Sequence, residues 1–372
     1  MASAGGARQV CIVGGGPAGL AAAIALRLEG FAVTVADSAH PPVDKACGEG
    51  LMPDSVEALE TLGVKIPKRM GYPLRGVAFI DGQTSLTGDF FKDTARGLRR
   101  TALHDLLVKR ASDVGVQLLW DARGVRIDGN GLLVNGRRLA ATVMVGADGQ
   151  NSRVRRDGGL SPVRHAQRRY GFRRHYRIAP WSDYVQLFWG RACQVYVTPI
   201  AEDEVGVALI SGSPHLRLDE ALREFPYLQR RLEACEHSSR EMGSVTGSRV
   251  LRRVSRPGMA LVGDASGTVD AITGEGMSIS FRQAIALAKA CKSGDLFQYE
   301  LAHRELRQRP NIMAAIMLLL ARHQGLRRRA FASLSERPEM FHQLLAVHIG
   351  ESRFRELLSW RLLPLGATFL TA

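Results

Sequence analysis

Val10–Leu20 reads VCIVGGGPAGL, an apolar run rich in β-branched residues that leads into Gly14, Gly16 and Gly19 in a GxGxxG pattern. Between a strand and a helix, this pattern is typical of a phosphate-binding turn. Gly14 permits the tight turn, Gly16 lets the backbone approach a pyrophosphate, and Gly19 lets the following helix pack closely on the strand. The stretch therefore predicts the first strand, turn and helix of a dinucleotide-binding fold.

A helix and a second strand follow the glycine turn. We predict the helix over 18–29; Pro17 and Ala18 stand at its start, where N-terminal amides face the pyrophosphate. The next apolar run, 31–36, ends in Asp37, 23 residues beyond the first glycine. An acid at this distance binds a ribose hydroxyl. Strand, turn, helix, strand and acid together predict a Rossmann-type domain with a bound adenine dinucleotide.

Two later segments are apolar runs that end at an acid. TVMVGADGQNSRVRR, from residue 142, carries Asp148, and ALVGDA, from residue 260, carries Asp264. After the second, Gly274 and Gly276 flank a glutamate, and a run that favours a helix begins at Met277. A tight turn at the two glycines would point the N-terminal amides of that helix at whatever is bound there.

In the order and spacing of these segments the chain resembles the FAD-dependent oxidoreductase superfamily of aromatic hydroxylases (group A flavin monooxygenases), geranylgeranyl reductases and flavin-dependent halogenases, over roughly residues 9–290. The resemblance implies that the GxGxxG segment holds the ADP half of FAD. It implies that Asp264 binds the ribityl or pyrophosphate region, and that Asp148 serves FAD and the nicotinamide cofactor together. The amides at Gly276 and Met277 would face the pyrimidine edge of the flavin, where positive charge stabilises the reduced anion.

Two more FAD contacts are expected between the first and second motifs. GLRRTALHDLLVKRA has the apolar spacing of an amphipathic helix that opens at Arg99-Arg100. The family's RxxLxxxL helix implies that Arg100 reaches toward FAD, although a solvated charge at a helix start explains it too. Strands expected at 115–119 and 125–127 would lie close to the adenine, where the backbone of Val125 is a candidate contact.

The middle of the chain has a different pattern. Residues 164–207 alternate polar and apolar side chains, which predicts antiparallel strands, and residues 77–86 are expected to add one strand to the same sheet. The predicted fold class is thus α/β, with a Rossmann-type FAD-binding domain, an antiparallel β-sheet substrate domain and a C-terminal helical region. The predicted boundaries are 1–75, 96–160 and 245–300 for the FAD-binding domain, 76–95 and 161–244 for the substrate domain, and 301–372 for the helical cap.

The formal net charge is +14, and its distribution is uneven. From residue 301 onward, eleven arginines stand against five glutamates, among apolar residues at helical spacing. Basic amphipathic helices can lie on anionic membrane surfaces, so peripheral contact with the inner face of a membrane is one expectation. Solvated arginine faces and the phosphates of FAD offer the alternative explanation. Nucleic acid is not expected as a partner, since no reading motif with interleaved aromatic residues is present.

The cysteines and the hydropathy bear on location. The five cysteines show no CxxC or ladder spacing, which favours a reducing, cytoplasmic compartment and no metal site. Residues 1–8 are short, small and polar, so no secretory signal is expected. The most apolar run, 313–321, is too short to span a membrane.

Sequence motifs distinguish only some of the reactions that members of this superfamily catalyse. Halogenases carry WxWxIP and a lysine, whereas QVYVTP at 194–199 has no tryptophan and 77–86 has no lysine. Geranylgeranyl reductases carry YxWxFP, of which Tyr196 and Pro199 remain, and KACGEG from residue 45 resembles those reductases as well. We predict an NAD(P)H-dependent monooxygenase that hydroxylates an apolar aromatic such as a phenolic lipid or polyketide. The alternatives are reduction of isoprenoid double bonds, halogenation, and a non-catalytic FAD redox carrier.

No catalytic residue follows from these patterns alone. Cys47 is a candidate for tuning the flavin face, Glu49 for donating a proton, and His175 for acting as a base. Each is equally explained as a packed or hydrogen-bonded side chain, so the sequence does not assign the catalytic residue.

Overall fold

The structure is a computed structural model that describes residues 8–92, 95–129, 131–160, 162–165 (backbone only) and 168–352. In the first half of this range the strands are β1 Gln9–Val13, β2 Ala32–Ala36, β3 Gly50–Leu51, β4 Tyr72–Pro73, β5 Gly76–Asp81, β6 Thr84–Asp89, β7 Arg96–Gly97, β8 Gln117–Leu119, β9 Arg126–Asp128, β10 Gly131–Val134, β11 Arg137–Ala140 and β12 Val143–Gly146. The later strands are β13 Pro162–His165, β14 Arg169–Arg177, β15 Tyr184–Trp189, β16 Cys193–Ala201, β17 Glu204–Ser211, β18 Met242–Thr246, β19 Arg249–Leu251, β20 Ser255–Arg256 and β21 Met259–Leu261.

The helices complete the element order. They are α1 Pro17–Leu28, α2 Pro53–Thr61, α3 Arg100–Asp113, α4 Arg153–Asp157, α5 Leu218–Leu222, α6 Pro226–Leu232, α7 Gly276–Ser293, α8 Leu296–Arg322, α9 Gln324–Ser335 and α10 Pro338–Ile349, with short 3₁₀ turns at Gly263–Ser266 and Ala271–Thr273. Within these described ranges, no helix is both long and apolar enough to cross a bilayer.

The first sheet has the strand order β20-β21-β12-β1-β2-β8 and is parallel apart from the β20–β21 pair. Val13, the last residue of β1, pairs with Ala36 at the end of β2 and with Gly146 at the end of β12. The chain therefore leaves all three strands at one edge, which is where ligands bind in open parallel sheets. The predicted Rossmann-type domain is confirmed.

The glycines of the first turn are required by packing. Gly14 has φ +108, and a Cβ there would lie 2.4 Å from the carbonyl oxygen of Ala147. A Cβ on Gly19 would lie 1.8 Å from the carbonyl oxygen of Gly14. Since neither backbone group can move without opening the sheet edge, α1 sits this close to β1 only with glycine at both positions.

The second sheet has the order β18-β14-β17-β16-β15-β5-β6 and is antiparallel except for the β5–β15 pair. The single strand expected over 77–86 is wrong: the segment is a hairpin of β5 and β6, which turns at Gly82 with φ +63. The hairpin lies in sequence between β2 and β8 of the first sheet but joins the second sheet, so the second sheet is discontinuous in sequence.

The C-terminal helices pack on this sheet. Phe331 of α9 and Phe341 of α10 join Leu86, Leu187 and Trp189 of the sheet in one apolar cluster. α8 begins before the expected boundary at residue 301 and continues through Pro310, so the helical region starts at Leu296. The arginines of the tail at 353, 355 and 361 lie outside the described residues.

Candidate functional site

A cavity of about 680 Å³ runs from the edge of the first sheet to the space between the second sheet and the C-terminal helices. Most of the residues predicted to bind the cofactor or to act in catalysis lie on its wall. They are Gly14, Gly16, Pro17, Ala18, Asp37, Cys47, Glu49, Arg100, Val125, Asp148, Asp264, Gly274, Gly276 and Met277. Gly19 and His175 lie behind the wall. Contact of these residues with FAD stays a prediction.

The turn before α1 has the form of a phosphate cradle. Gly16 is the N-cap of α1, no described side chain caps that end, and its first turn holds no acidic residue. A Cβ on Gly16 would meet no described heavy atom within 4 Å, so a side chain there would project into the cavity. Free amides, a positive helix end and an open approach together fit the pyrophosphate of FAD.

Polar groups on the wall also fit a polar ligand. Arg100 Nε and Asp148 Oδ1 are buried and have no hydrogen-bond partner among the described residues. Buried polar atoms are rarely left without a partner, so these two fit contact with a bound polar group. The other oxygen of Asp148 accepts hydrogen bonds from the amides of Arg153 and Val154, at 2.7 and 3.1 Å, which fixes the direction of the carboxylate.

Asp37 lies at the end of β2, where its carboxylate organises the glycine turn. Its Oδ2 accepts from the amide of Gly15 at 2.5 Å, and its Oδ1 accepts from the amide of Ala39 at 2.8 Å. These bonds hold the carboxylate at the wall of the cavity. Its predicted contact with the ribose is compatible with this placement.

Asp264 pairs with Lys45 across the wall, with Nζ 2.8 Å from Oδ2. Burial raises the pKa of Asp264 and the Lys45 ammonium lowers it, and the net shift is downward. The carboxylate is thus charged at neutral pH. Lys45 ties the 45–50 loop to the segment after β21, an arrangement that the sequence motifs did not indicate.

The predicted turn before α7 is confirmed. Gly274 has φ +71, Glu275 is the N-cap, and α7 begins at Gly276. No described side chain caps this end, and its first turn has no acidic residue. The free amides at Gly276 and Met277 therefore present partial positive charge to the cavity, as stabilisation of a reduced flavin requires.

Sequence reasoning missed two aromatic residues that support the glycine turn. His104 is buried, and its Nε2 donates to the carbonyl oxygen of Gly15 at 2.8 Å. Burial lowers the pKa of His104, so the ring is neutral at pH 7. Trp120 packs against Gly15, where a Cβ would lie 2.3 Å from the indole ring. His104 lies four residues after Arg100 in α3, on the same face, and that spacing was the available signal.

The candidates Glu49 and His175 come together as a buried pair, with Oε2 2.6 Å from Nε2. The other carboxylate oxygen of Glu49 accepts from the amide of Arg100 at 2.9 Å. His175 Nδ1 faces the guanidinium of Arg173 at 3.1 Å, so it is an acceptor and Nε2 carries the hydrogen. Both oxygens of Glu49 are thus occupied, and the pair anchors the 45–50 loop to β14.

The end of the cavity away from the glycine turn is apolar. Its wall includes Val77, Phe79, Val185, Leu187, Met317 and Leu345 from β5, β15, α8 and α10. Three polar side chains there donate to backbone carbonyls: Tyr196 to Ile272 at 2.6 Å, Thr198 to Gly48 at 2.8 Å and His348 to Thr273 at 3.1 Å. Burial raises the pKa of Tyr196, so its hydroxyl keeps the proton. This end of the cavity fits an apolar molecule.

Two known proteins are similar in sequence to most of this chain. Over 336 residues the chain is 29% identical to menaquinone reductase of Mycolicibacterium smegmatis (strain ATCC 700084 / mc(2)155), covering 81% of this chain and 80% of the relative. Over 319 residues it is 25% identical to 3-demethoxyubiquinol 3-hydroxylase of Escherichia coli (strain K12), covering 75% and 78%.

Solved structures share the fold. The flavin-dependent brominase Bmp2 superposes with a TM-score of 0.77 at 19% identity, covering 93% of this chain and 94% of the other. A geranylgeranyl bacteriochlorophyll reductase-like protein of Thermoplasma acidophilum gives 0.69 at 20% identity, covering 83% and 88%. The tetrameric form of 2-methyl-3-hydroxypyridine-5-carboxylic acid oxygenase gives 0.69 at 23% identity, covering 92% and 96%.

A family match settles the assignment that the cavity suggests. Residues 7–292 match the family described as FAD binding domain, which is more than half of the chain. With the phosphate cradle at Gly16, the helix end at Gly276 and a cavity that joins them, the chain belongs to the FAD binding domain family and is an FAD-dependent oxidoreductase.

Proposed function

We propose that the protein is an NAD(P)H-dependent monooxygenase that hydroxylates an electron-rich ring bearing an apolar chain. The observation that carries the proposal is that the α7 amides at Gly276 and an apolar end formed by β5, β15, α8 and α10 line the same cavity. When bound, FAD supplies the redox chemistry, taking electrons from the nicotinamide and delivering them to dioxygen. The chain itself binds the ring, excludes water and holds positive charge at the flavin edge.

Three hydrogen-bonded side chains at the apolar end of the cavity favour hydroxylation over reduction of a double bond. Saturation of a double bond needs a proton at a substrate carbon. Tyr196, Thr198 and His348 each give their hydrogen to a backbone carbonyl, so none of these three holds one free for the substrate. Oxygen transfer to an electron-rich ring makes no such demand on the wall.

The names of the relatives support the substrate class. The names menaquinone reductase and 3-demethoxyubiquinol 3-hydroxylase both contain a quinone or quinol lipid, and both relatives align with three quarters or more of this chain. For this protein we extend the aromatic substrate to a quinol with an apolar tail, which matches the apolar end of the cavity.

Cys47 favours a second candidate, reduction of a double bond in such a lipid. The residue lies on the cavity wall, and its sulfur accepts from the amide of Glu49 at 3.4 Å, which leaves the thiol hydrogen for another acceptor. A thiol at this place is a possible proton donor to a substrate carbon. The similarity to a menaquinone reductase points the same way.

The first prediction separates these reactions by product and by oxygen requirement. The FAD-loaded protein is given NADPH or NADH with short-chain analogues of menaquinol and demethoxyubiquinol, in air and under argon. We expect a product that has gained one oxygen atom, labelled when isotopic dioxygen is used, and no product under argon. Mass spectrometry of the extracted quinones makes the measurement.

The variant Cys47→Ser sharpens that test. Under hydroxylation, C47S should keep turnover within about threefold, because oxygen transfer takes no proton from the thiol. A product with two added hydrogen atoms that forms under argon and disappears in C47S would refute hydroxylation and establish the reductase alternative.

We also propose that the protein meets its substrate at an anionic membrane surface through α8. Phe297, Leu301 and Leu319 are large exposed apolar residues on this helix, and Arg304 and Arg322 share their face by helical spacing. Met317, on another face of α8, lies on the cavity wall. A membrane-facing helix would thus border the place where an apolar tail is bound.

The second prediction concerns vesicle binding by the FAD-loaded protein. Each arginine near an anionic surface contributes roughly 1 kcal/mol, so R304E/R322E should weaken cosedimentation with phosphatidylglycerol-containing vesicles by at least about tenfold. The matched control is R126E/R137E, which makes the same charge change at exposed positions of the β9–β11 sheet. Equal binding by the two variants, or equal binding to neutral phosphatidylcholine, would contradict a role for α8.

A further inference from the structure

Glu275 and His348 face each other beside the flavin-edge turn. Glu275 is the N-cap of α7 and its side chain is 3% exposed; His348 lies in the last turn of α10, and its side chain is 13% exposed. His348 Nδ1 is 3.6 Å from Glu275 Oε2. Both atoms are buried and have no hydrogen-bond partner in the described part of the chain. Buried polar atoms are rarely left without a hydrogen-bond partner, so the unpaired Nδ1 and Oε2 at this distance need an explanation.

The other hydrogen bonds of Glu275 and His348 determine which of their atoms can donate. His348 Nε2 lies 3.1 Å from the carbonyl oxygen of Thr273, which only accepts, so Nε2 carries a hydrogen. Glu275 Oε1 accepts from the guanidinium of Arg309 at 3.2 Å. In a neutral imidazole, Nδ1 is then a bare acceptor that faces the carboxylate oxygen Oε2. Two acceptors cannot face each other in a buried place without a large loss of free energy unless a proton lies between them.

We propose that Glu275 and His348 share one proton between Oε2 and Nδ1, and that this proton holds α10 against the flavin-edge turn. Closing the gap requires only a small approach of the two side chains. With the proton present, His348 binds the turn twice, at Thr273 and at Glu275. Without it, the two acceptors repel each other, and the last turn of α10 loses one of its two anchors.

The charged groups around the pair act on it from several elements. Arg309 of α8 contacts Glu275 and lies 3.6 Å from Asp54 of α2. Arg282 of α7 is 3.7 Å from the same aspartate, and Glu351 follows α10. Burial raises the pKa of Glu275, against the lowering effects of His348 and Arg309. A carboxyl with a raised pKa retains its proton to higher pH, as the shared-proton arrangement needs.

The shared proton makes the packing of α10 at the cavity wall depend on pH. His348 and Leu345 of α10 both lie on that wall, together with Gly274 and Gly276 of the turn. Because burial raises the pKa of Glu275, the tie is present at low pH and is lost as pH rises and Glu275 gives up its proton. This inference concerns the chain's own residues and does not depend on which reaction the protein catalyses.

The third prediction tests the tie by hydrogen–deuterium exchange of the FAD-loaded, full-length protein between pH 6 and 9, corrected for intrinsic rates. We expect protection of peptides from α10 to fall about tenfold with rising pH, since one buried hydrogen bond contributes about 1 kcal/mol. Peptides from α9, which the Arg327–Asp81 ion pair anchors, are the internal control and should stay level.

Two substitutions at one position make the outcome decisive. In Glu275→Gln, the amide oxygen still accepts from Arg309 and the amide nitrogen donates to Nδ1, so protection should be high at every pH. In Glu275→Ala, the tie is lost and protection should be low at every pH. A level wild-type profile, or E275A as protected as wild type at pH 6, would overturn the proposal; neither outcome bears on the identity of the substrate.

Discussion

Gly16→Val is expected to abolish FAD binding while the protein still folds. Gly16 has φ −72 and ψ 178, an extended conformation that any residue adopts, and no described heavy atom lies within 4 Å of a Cβ there. The new side chain would stand in the phosphate cradle, between the α1 amides and the pyrophosphate. Loss of this approach should weaken FAD binding by at least about a hundredfold, close to 3 kcal/mol.

The measurement is the flavin absorbance that remains with the protein after gel filtration, followed by titration of the apoprotein with FAD. Gly212→Val is the matched control, because Gly212 is exposed, open and away from the cavity wall. The circular dichroism of both variants should match wild type. Stoichiometric FAD in G16V would disprove the cradle.

Substitution of Gly16 is expected to affect cofactor binding alone, whereas substitution of Gly19 is expected to affect both binding and folding. At Gly19 the same substitution would place a Cβ 1.8 Å from the carbonyl oxygen of Gly14, so α1 would have to leave the sheet. We expect G19V to lose the fold together with the cofactor. Comparison of G16V with G19V therefore assigns the two functions of the motif to different glycines.

The first domain could be predicted because its signals are local. The glycines, the strand before them and Asp37 lie within 28 residues of one another, and each sets the backbone of its own neighbourhood. The β5–β6 hairpin also had a local signal, since Asp81-Gly82 is a typical hairpin turn. That signal was outweighed by the apolar run 77–80 before it, which is typical of a strand.

The rest of the site depends on contacts between distant parts of the chain. His104 supports Gly15 from α3, and Lys45 reaches Asp264 from a loop 219 residues earlier. His348 meets Glu275 because α10 folds back over the second sheet. No spacing in the sequence encodes the last two of these contacts. For the same reason, Cys47, Glu49 and His175 could be proposed as chemically suitable residues but not placed. The structure shows Glu49 and His175 bonded to each other, with His175 behind the wall.

Arg327→Met should cause a large loss of stability, because Arg327 anchors α9 to the β5–β6 hairpin. Its Nε and one terminal nitrogen donate to the two oxygens of Asp81 at 2.8 and 3.0 Å, and the second terminal nitrogen donates to the carbonyl of Gly190 at 3.3 Å. The side chains of the pair are 4% and 12% exposed. Methionine keeps the volume but leaves the buried carboxylate uncompensated, which costs about 3–5 kcal/mol.

The urea midpoint of unfolding in saturating FAD measures this loss of stability. Two further variants serve as controls. R327M/D81L removes both charges and should recover most of the stability, since the penalty comes from the unpaired carboxylate. R177M breaks the exposed Arg177–Asp203 pair, with side chains 54% and 69% exposed, and should cost less than about 1 kcal/mol. Because Met317 and Leu345 of the neighbouring helices lie on the cavity wall, R327M should also raise the KM for the proposed quinol substrate. If R327M unfolds at the wild-type urea concentration, then α9 is held by its apolar contacts with Trp189 and Leu86, and the ion pair adds no net stability.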